Sequence, residues 1–207
     1  AVRSLGYVPN RAARTLVTRR TDSVAVVVPE PDERVFNDPF FGGIVRGVSL
    51  ELQDSGEQLV LMMVATDADH ERFERYVRGG HIDGVLLLSL HGADPLPNAL
   101  ARAGIPTVLG GRILDNQAGL PCVDVDNVGG AEQAVRRLVQ LGRERIATIA
   151  GPQNMGAGVD RLVGYQQGLA PHRFRPELVE VGDFTQESGA RAMATLLDRV
   201  PDLDAVF

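Results

Sequence analysis

The chain has 207 residues, of which 21 are arginine and none is lysine, and its 27 acidic residues leave a formal net charge of −6. This length can bury a sizeable core and fits one large domain or two small ones, of which we expect two. Its apolar stretches are shorter than the roughly 20 residues of a membrane span, and the single cysteine, Cys122, excludes an internal disulfide and fits a reducing cytoplasm.

The first twenty residues, which we call the leader, carry a charge opposite to that of the rest. They contain five arginines and no acidic residue, so the leader carries +5 and residues 21–207 carry 16 − 27 = −11. An acidic body repels phosphate groups. We therefore expect any affinity for nucleic acid or for an anionic surface to reside in the leader.

The leader is predicted to contain a short helix. Asn10 is a good N-cap, and Arg11 to Thr18 can form about two turns. Because so short a helix is barely populated alone in water, it needs a partner to order it. Two alternatives remain open: a basic tail helix packed on its own body, or a DNA-binding helix whose arginines contact phosphates while a leucine inserts between base steps.

From Asp22 onward, short β-branched runs alternate with longer segments of helical spacing. Most of these runs lack the in-and-out alternation of a half-solvated strand and are typical of strands buried on both faces, as in parallel sheets. The predicted strands are Ser23–Val28, Gln58–Val64, Gly84–Leu88, Thr107–Leu109, Cys122–Val125, Arg145–Ala150, Leu178–Val181 and Asp204–Phe207.

Four of the intervening segments place apolar residues three or four apart, as amphipathic helices do. They are "FFGGIVRGVSLELQDSG", "HERFERYVRGG", "VGGAEQAVRRLVQLG" and "TQESGARAMATLLDR". The repetition of strand and helix predicts an α/β fold with two doubly wound parallel-sheet lobes and right-handed crossovers.

The boundary between the lobes is predicted near "VDVDNVGG", where a new series of strands and helices starts. This gives the leader at 1–20, a first lobe at 21–125 and a second lobe at 126–207. The chain ends within the strand signal "DAVF". Because a strand there would leave an edge and an apolar face exposed, we expect the second lobe to be incomplete in this chain.

The sequence lacks the motifs of the common enzyme classes. Its four histidines show no metal-binding spacing, and it contains neither a G-x-S-x-G elbow, nor a Walker lysine, nor a G-x-G-x-x-G after the first strand. We therefore expect no catalytic activity, no metal and no cofactor. The glycine-rich segment "NMGAGVD" is interpreted as a mobile loop of a ligand cleft.

A series of ordered motifs covers essentially the whole chain and resembles the LacI/GalR family of bacterial transcriptional repressors. In chain order these motifs are "LGYVPNRAARTL", "TDSVAVVVPEPD", "DPFFGGIVRGV", "HIDGVLLLS", "GIPTVLGGR", "VDVDNVGGAEQAVRRLVQLG", "RERIATIAGP", "DRLVGYQQGL" and "GDFTQESG".

The resemblance implies a role for the leader. "LGYVPN" would be the tail of a helix-turn-helix headpiece, and the helix that starts at Asn10 would be the hinge helix, which in the family orders on operator DNA. Leu16 matches the leucine that the family inserts into a central base step, and Arg11 and Arg14 match backbone or groove contacts; with Asn10 at the start of the helix, these are the predicted DNA-binding residues. Without the headpiece, sequence-specific binding is expected to be weak.

The resemblance also implies an effector site, since the body is similar to a type I periplasmic sugar-binding protein, which binds its ligand beyond the carboxyl ends of strands. Arg161 matches an arginine that hydrogen-bonds the sugar or purine in relatives, and Phe184 matches an aromatic residue that stacks on the ligand. A surface salt bridge is the alternative for Arg161, and core packing is the alternative for Phe184.

Three further effector contacts are predicted by the same resemblance. Phe40 and Phe41 match positions that touch the effector in relatives, with packing at the end of a helix as the alternative for each. Asp126, with Asn127 beside it, either contacts the ligand or fixes the crossover through Asx-type hydrogen bonds.

We therefore expect a cytoplasmic, homodimeric, effector-responsive transcriptional repressor. Its partners would be operator DNA and a small-molecule effector, a carbohydrate, with no membrane association. The alternative is an exported solute receptor of the same fold for sugar uptake. Such a receptor needs a signal peptide or a lipid anchor, whereas this chain opens with the cationic leader.

Overall fold

The computed structural model describes residues 20–92, 94–169 and 174–207. The predicted hinge helix and the predicted DNA-binding residues Asn10, Arg11, Arg14 and Leu16 lie outside these ranges. The described residues form two parallel sheets whose strands alternate with helices along the chain. The predicted α/β class with parallel sheets is confirmed.

The first sheet has five strands, which are β1 Ser23–Val28, β2 Gln58–Met63, β3 Gly84–Leu88, β4 Thr107–Gly110 and β5 Cys122–Val123. Their order is β2-β1-β3-β4-β5, and β1 pairs in parallel with both β2 and β3. Ala25 to Val28 have no exposed surface. Burial on both faces explains why β1 is apolar throughout its second half, without alternation.

The second sheet has three strands, β6 Ile146–Ala150, β7 Val179–Val181 and β8 Ala205–Val206, in the order β7-β6-β8. Both of its strand pairs are parallel, as a doubly wound sheet requires. All eight predicted strands are present, and their ends differ from the prediction by two residues at most.

Seven α-helices lie in the described ranges. They are α1 Asp32–Asn37, α2 Pro39–Ser55, α3 Asp67–Arg78, α4 Leu96–Arg102, α5 Asn127–Gln140, α6 Gly156–Gly168 and α7 Gln186–Arg199. Thr66 and Asp69 form a capping box at the start of α3, and Gly56 ends α2 in the left-handed conformation. The four predicted helices α2, α3, α5 and α7 are confirmed. No helix of this part of the chain is both long and apolar enough to span a membrane.

One interpretation of the sequence was wrong. The segment "NMGAGVD" was interpreted as a loop, but α6 begins at Gly156 within it. Its glycines serve close backbone packing: a Cβ atom at Gly156 would collide with the carbonyl oxygen of Arg112, and one at Gly158 with that of Pro152. Helix propensity therefore gives way here to tertiary contact.

The described residues divide into two compact units. The first comprises the residues up to Leu88 together with Pro95–Val108, and the second comprises Ser89–Asp94 together with Leu109–Phe207. The division between the units falls within β4, between Val108 and Leu109. The first sheet nevertheless includes β5, which lies in the second unit. The predicted lobe boundary at residues 125 and 126 therefore stays a prediction.

Each unit has its own apolar core. In the first unit, Val26, Val28, Val35, Phe41 and Leu88 form a buried cluster against α2. In the second unit the corresponding cluster is Val135, Ile146, Tyr165 and Leu169. The hydroxyl of the fully buried Tyr165 donates to the carbonyl of Ile146 at 2.7 Å, and burial raises its pKa to about 12.

The start of β1 is held by the carboxylate of Asp83, the residue before β3. Asp83 accepts hydrogen bonds from the backbone N–H groups of Thr21 and Asp22, each at 2.8 Å, and from the Thr21 hydroxyl at 3.0 Å. Arg20 lies beside it and forms an ion pair with Glu57 at 2.8 Å. The chain thus enters the first unit through a network of charge-assisted hydrogen bonds.

Candidate ligand-binding site

Close packing of α5 against α6 determines where the polar residues of the second unit lie. A Cβ atom at Gly164 would collide with the carbonyl oxygen of Val128 and lie 2.7 Å from the Cβ of Ala131. One turn further, a Cβ at Gly168 would lie 2.7 Å from the Cβ of Val135. Only glycine permits this approach, which brings the first two turns of α5 next to the second half of α6.

Arg161, on the second turn of α6, receives two kinds of contact. Its Nε donates to Oδ1 of Asn127, the first residue of α5, at 2.9 Å. Its guanidinium carbon lies 5.5 Å from the centre of the Phe184 ring, within cation–π distance. Within the described ranges no carboxylate lies at ion-pair distance from Arg161, so the salt-bridge alternative does not describe this side chain here.

Phe184 follows β7 and lies over the end of β6. Its backbone φ is +68°, in the left-handed region that non-glycine residues rarely adopt. A Cβ atom at Gly151, the residue after β6, would collide with the Phe184 ring, which is therefore in van der Waals contact with the backbone there. The residue is 38% exposed. One part of the ring is supported by the protein and another is open to solvent, so the core-packing alternative holds only in part.

A continuous set of contacts joins five polar residues, which we call the polar ring: Arg112, Asp124, Asn127, Asp160 and Arg161. Nδ2 of Asn127 donates to Oδ1 of Asp124 at 3.1 Å. Oδ2 of Asp124 accepts from the backbone N–H of Arg112 at 2.8 Å. The Arg112 side chain binds Asp160 through Nε at 3.0 Å and Nη2 at 2.5 Å. The peptide bond from Asp160 to Arg161 closes the ring.

The two arginines of the polar ring differ electrostatically. The hydrogen bond to Asp160 raises the pKa of Arg112, an effect that partial burial opposes and that the negative charges of Asp160 and Asp124 reinforce. Its bidentate pair with Asp160 compensates its charge. Arg161 has no such partner among the described side chains. The positive charge that remains for a ligand is therefore that of Arg161.

The strand ends place these groups together. Gly151 follows β6, Phe184 follows β7, Asp124 follows β5 and Arg112 follows β4, so all lie beyond the carboxyl ends of parallel strands, where ligands of such sheets bind. An aromatic face next to a fixed set of N–H donors suits a molecule that has both an apolar face and hydroxyl or carboxylate acceptors.

Asp126 occupies the N-cap of α5, where its carboxylate accepts from the backbone N–H of Gly129 at 2.8 Å. This is the Asx-type hydrogen bond that was the alternative to ligand contact. The buried Asn127, 6% exposed, joins the α5 terminus to Arg161. A direct contact of Asp126 with an effector stays a prediction.

The two phenylalanines of the first unit lie in different environments. Phe41 is 2% exposed and packs in the core cluster, which is the packing role considered as its alternative. Phe40 is 56% exposed and forms an edge-on contact with Phe41, their ring centres 5.3 Å apart. The contact of either ring with an effector stays a prediction.

Sequence reasoning missed three members of the polar ring, Arg112, Asp124 and Asp160. A usable signal was present for Arg112 and Asp124, because Arg112 lies three residues after the predicted strand Thr107–Leu109 and Asp124 lies near the end of the predicted strand Cys122–Val125. The carboxyl ends of parallel strands lie along one edge. Asp160 is adjacent to Arg161, yet its pairing with Arg112 spans 48 residues and follows only from the fold.

Comparison with known sequences finds a matching family model and similar regulators. The family model described as periplasmic binding proteins and sugar binding domain of LacI family matches residues 21–207. The HTH-type transcriptional regulator CelR of Thermobifida fusca is 55% identical over 210 residues, covering 100% of this chain and 62% of CelR. The regulator AglR of Rhizobium meliloti is 34% identical, covering 100% of this chain and 58% of AglR. The chain thus spans about three fifths of the length of these curated relatives.

Solved structures of transcription regulators also resemble this chain. A complex of CelR with cellobiose superposes with a TM-score of 0.84 at 50% identity and covers 100% of this chain and 62% of that one. The transcription regulator CcpA of Lactococcus lactis superposes with a TM-score of 0.74 at 26% identity, covering 87% of this chain and 65% of that one.

Proposed function

Because this chain belongs to the family of periplasmic binding proteins and LacI-family sugar-binding domains, we propose that it is the sensing part of a transcription regulator. The regulator is a cytoplasmic repressor whose affinity for operator DNA depends on a carbohydrate effector. Its activity is binding, without catalysis. The effector binds in the second unit, where Arg161 and Phe184 meet beyond the carboxyl ends of β6 and β7.

The observation that carries this proposal is the pairing of Arg161 with Phe184. A sugar ring has an apolar C–H face, which stacks on an aromatic ring, and hydroxyl groups, which accept from a guanidinium. The open part of the Phe184 ring and the uncompensated charge of Arg161 provide both, 5.5 Å apart. CelR forms a complex with cellobiose, so cellobiose is the first candidate effector for this chain.

DNA binding is assigned to the leader. Its +5 charge contrasts with the −11 of residues 21–207, so attraction to phosphate is confined to one end of the chain. Arg11 and Arg14 contact the DNA backbone or groove, and Leu16 inserts between base steps. These assignments come from the family resemblance of "VPNRAARTL".

The regulator acts as a homodimer in this proposal, and one face of α2 supports it. Phe40, Gly43, Gly47 and Leu50 lie three and four residues apart, the spacing of a helix-packing seam. Phe40 and Leu50 are more than half exposed, and a Cβ atom at Gly43 or Gly47 would meet no atom within 4 Å. A second copy packed on this face would cover Phe40, which then could not contact an effector. Sedimentation of Leu50→Glu as a monomer, with a wild type that sediments as a dimer, would support this interface.

Calorimetric titration of the full-length protein with cellobiose tests the effector site. We expect Arg161→Ala to weaken cellobiose affinity by about tenfold or more, because charged hydrogen bonds to the ligand are lost. Arg136→Ala is the matched control, since Arg136 is an exposed arginine of α5 paired with Glu132 at 2.5 Å. Equal affinities of Arg161→Ala and the wild type would refute the site.

Fluorescence anisotropy tests DNA binding, with an operator selected from a random duplex pool by the full-length protein. Leu16→Ala is expected to weaken operator binding and to leave cellobiose affinity unchanged. Cellobiose added to the wild type is expected to shift operator affinity about 5- to 150-fold, the range of ordinary allosteric coupling. Cellobiose binding by a protein that selects no duplex at low salt would favour the solute receptor instead.

A further inference from the structure

We propose that Asn127 is a positioning residue for effector binding: it holds the guanidinium of Arg161 in place, and Asp124, with Arg112 and Asp160, holds Asn127. This inference rests on the proposed function and assigns a role to residues that do not themselves contact the effector. It concerns the second unit alone.

The first step is the chemistry of the Asn127 side chain. Its Oδ1 accepts from Nε of Arg161 at 2.9 Å, and its Nδ2 donates to Asp124 at 3.1 Å. The amide offers an acceptor and a donor on neighbouring atoms that reach both residues, and the two charged neighbours fix which way it points. An aspartate has no donor for Asp124, and a leucine has neither group.

The second step is the rigidity of Asn127 itself. The residue is 6% exposed, and its backbone N–H donates to the carbonyl of Val125 at 2.8 Å. Oδ1 of Asp124 also accepts from the backbone N–H of Val125 at 2.8 Å, and its Oδ2 from that of Arg112 at 2.8 Å. Asp124 is therefore fixed by main-chain groups, so the amide that it orients has little freedom.

The third step is the freedom that Arg161 would otherwise have. Its side chain is long and belongs to an exposed residue, and such a side chain loses considerable rotamer entropy when it binds. Nε is bound to Asn127, while the guanidinium lies over Phe184. Within the described ranges no hydrogen bond engages its two terminal nitrogens. Asn127 thus orders the arginine before the effector arrives and leaves its terminal donors for the effector.

A double-mutant cycle measured by calorimetry with cellobiose tests this role. In the full-length wild type, we expect Asn127→Ala to weaken cellobiose affinity by about tenfold, and by no more than Arg161→Ala does, because it acts through Arg161. In an Arg161→Ala background, the same substitution is expected to change affinity by less than about twofold, because residues that act through one another are not additive. Equal losses in both backgrounds, or no loss in the wild type, would overturn the proposal.

The matched control is Asn116→Ala. Asn116 is an asparagine of the same unit, and its side chain makes two hydrogen bonds to the backbone of Leu120, at 2.8 and 3.0 Å. Its replacement is expected to leave cellobiose affinity unchanged. Asn127→Ser, whose shorter hydroxyl cannot reach both Arg161 and Asp124, provides a second variant should Asn127→Ala fail to fold.

A second measurement needs no ligand. The Nε–H proton of Arg161, observed by NMR with ¹⁵N-labelled arginine, is expected to exchange slowly with water in the wild type and rapidly in Asn127→Ala. Rapid exchange in the wild type would overturn the positioning role even if the wild type does not bind cellobiose. If Arg161→Ala leaves cellobiose affinity intact, the proposed function and this inference both fail. If Arg161→Ala weakens cellobiose affinity but Asn127→Ala leaves it intact, only this inference fails.

Discussion

The ring of Phe184 lies against the backbone of Gly151, so at the scale of single residues a methyl group at position 151 should act on the proposed ligand site. The added Cβ would collide with two carbons of the ring and lie 3.1 Å from a third. Because the ring is partly exposed, it can move outward, and we expect Gly151→Ala to lower the free energy of unfolding by only about 1 kcal/mol. Its displacement should weaken cellobiose affinity by about tenfold, measured by calorimetry.

A Phe184→Ala background provides the control for this prediction. With the ring removed, the three atoms nearest to the added methyl group are gone, so the additional Gly151→Ala change should cost much less affinity and stability than it does in the wild type. An affinity loss of the same size with and without the ring would show that Gly151 acts by another route.

Asp83 has a residue-scale effect that depends on pH. Partial burial opposes ionisation of its carboxylate, but hydrogen bonds from Thr21 and Asp22, together with Arg20, outweigh it and lower the pKa below its ordinary 3.8. A carboxylate with a lowered folded-state pKa stabilises the fold above the unfolded pKa, and this contribution is lost as pH falls through the folded value. We expect Asp83→Asn to cost about 1–3 kcal/mol at pH 7, measured by urea unfolding.

The difference between Asp83→Asn and the wild type should shrink only below about pH 3.8, where the wild-type carboxylate becomes protonated as well. Asp54→Asn is the matched control, because Asp54 is an exposed aspartate at the end of α2. A difference that stays constant down to pH 2.5 would mean that the charge of Asp83 contributes nothing.

At the scale of whole elements, the packing of α5 on α6 sets the geometry of the polar ring. A methyl group at Gly164 would collide with the carbonyl oxygen of Val128 and force the helices apart. We expect Gly164→Ala to lower the free energy of unfolding by about 1–3 kcal/mol, although alanine favours a helix by about 1 kcal/mol. The bond from Arg161 to Asn127 should lengthen, so cellobiose affinity, measured by calorimetry, should fall with it.

Gly130→Ala in α5 separates the gain in helix propensity from the steric collision at Gly164. A Cβ atom at Gly130 would meet no atom within 4 Å, so this substitution adds helix propensity without a collision. It should raise the free energy of unfolding by up to about 1 kcal/mol and leave cellobiose affinity unchanged. Equal destabilisation at both glycines would show that the helices do not depend on close approach.

The elements also show what local sequence can and cannot predict. Strands buried on both faces have a strong local signal, and for this reason β1, β3 and β6 were found nearly to the residue. The helix α6 was missed because its glycines, which weaken the local signal, are required by neighbours far along the chain. Gly156, for example, approaches the backbone of Arg112.

The candidate site likewise has parts that local sequence predicts and parts that depend on residues far apart in the chain. Arg161 and Phe184 were predicted from motifs, each of which lies within a few residues. The bonds that fix Arg161 join residues 34 positions apart, and those of Arg112 with Asp160 join residues 48 apart. A helix start and a strand end come together only through sheet order and the close approach of α5 to α6. Spacing along the chain therefore does not reveal Asn127 as the partner of Arg161.

At the scale of the whole molecule, charge separates the two binding activities that we propose. The leader has a net positive charge, whereas the proposed ligand site combines Arg161, which has no carboxylate partner among the described side chains, with an aromatic ring in an acidic body. Binding to DNA releases counterions from phosphate, but binding of a neutral sugar releases none. Salt should therefore act on one activity and not on the other.

We expect operator affinity to fall by about 100- to 1,000-fold per leader between 50 and 200 mM salt if all five leader arginines contact phosphate, since each contact contributes about −0.9 to the logarithmic slope. Anisotropy measures this slope, and calorimetry should find cellobiose affinity constant within about twofold. Replacing Arg11 and Arg14 by glutamine should make the slope shallower by about 2 per leader, whereas Arg136→Gln in α5 should leave it unchanged. An unchanged slope after both leader substitutions would place the DNA-binding surface on the body, against its negative charge, and the division of roles between leader and body would be wrong.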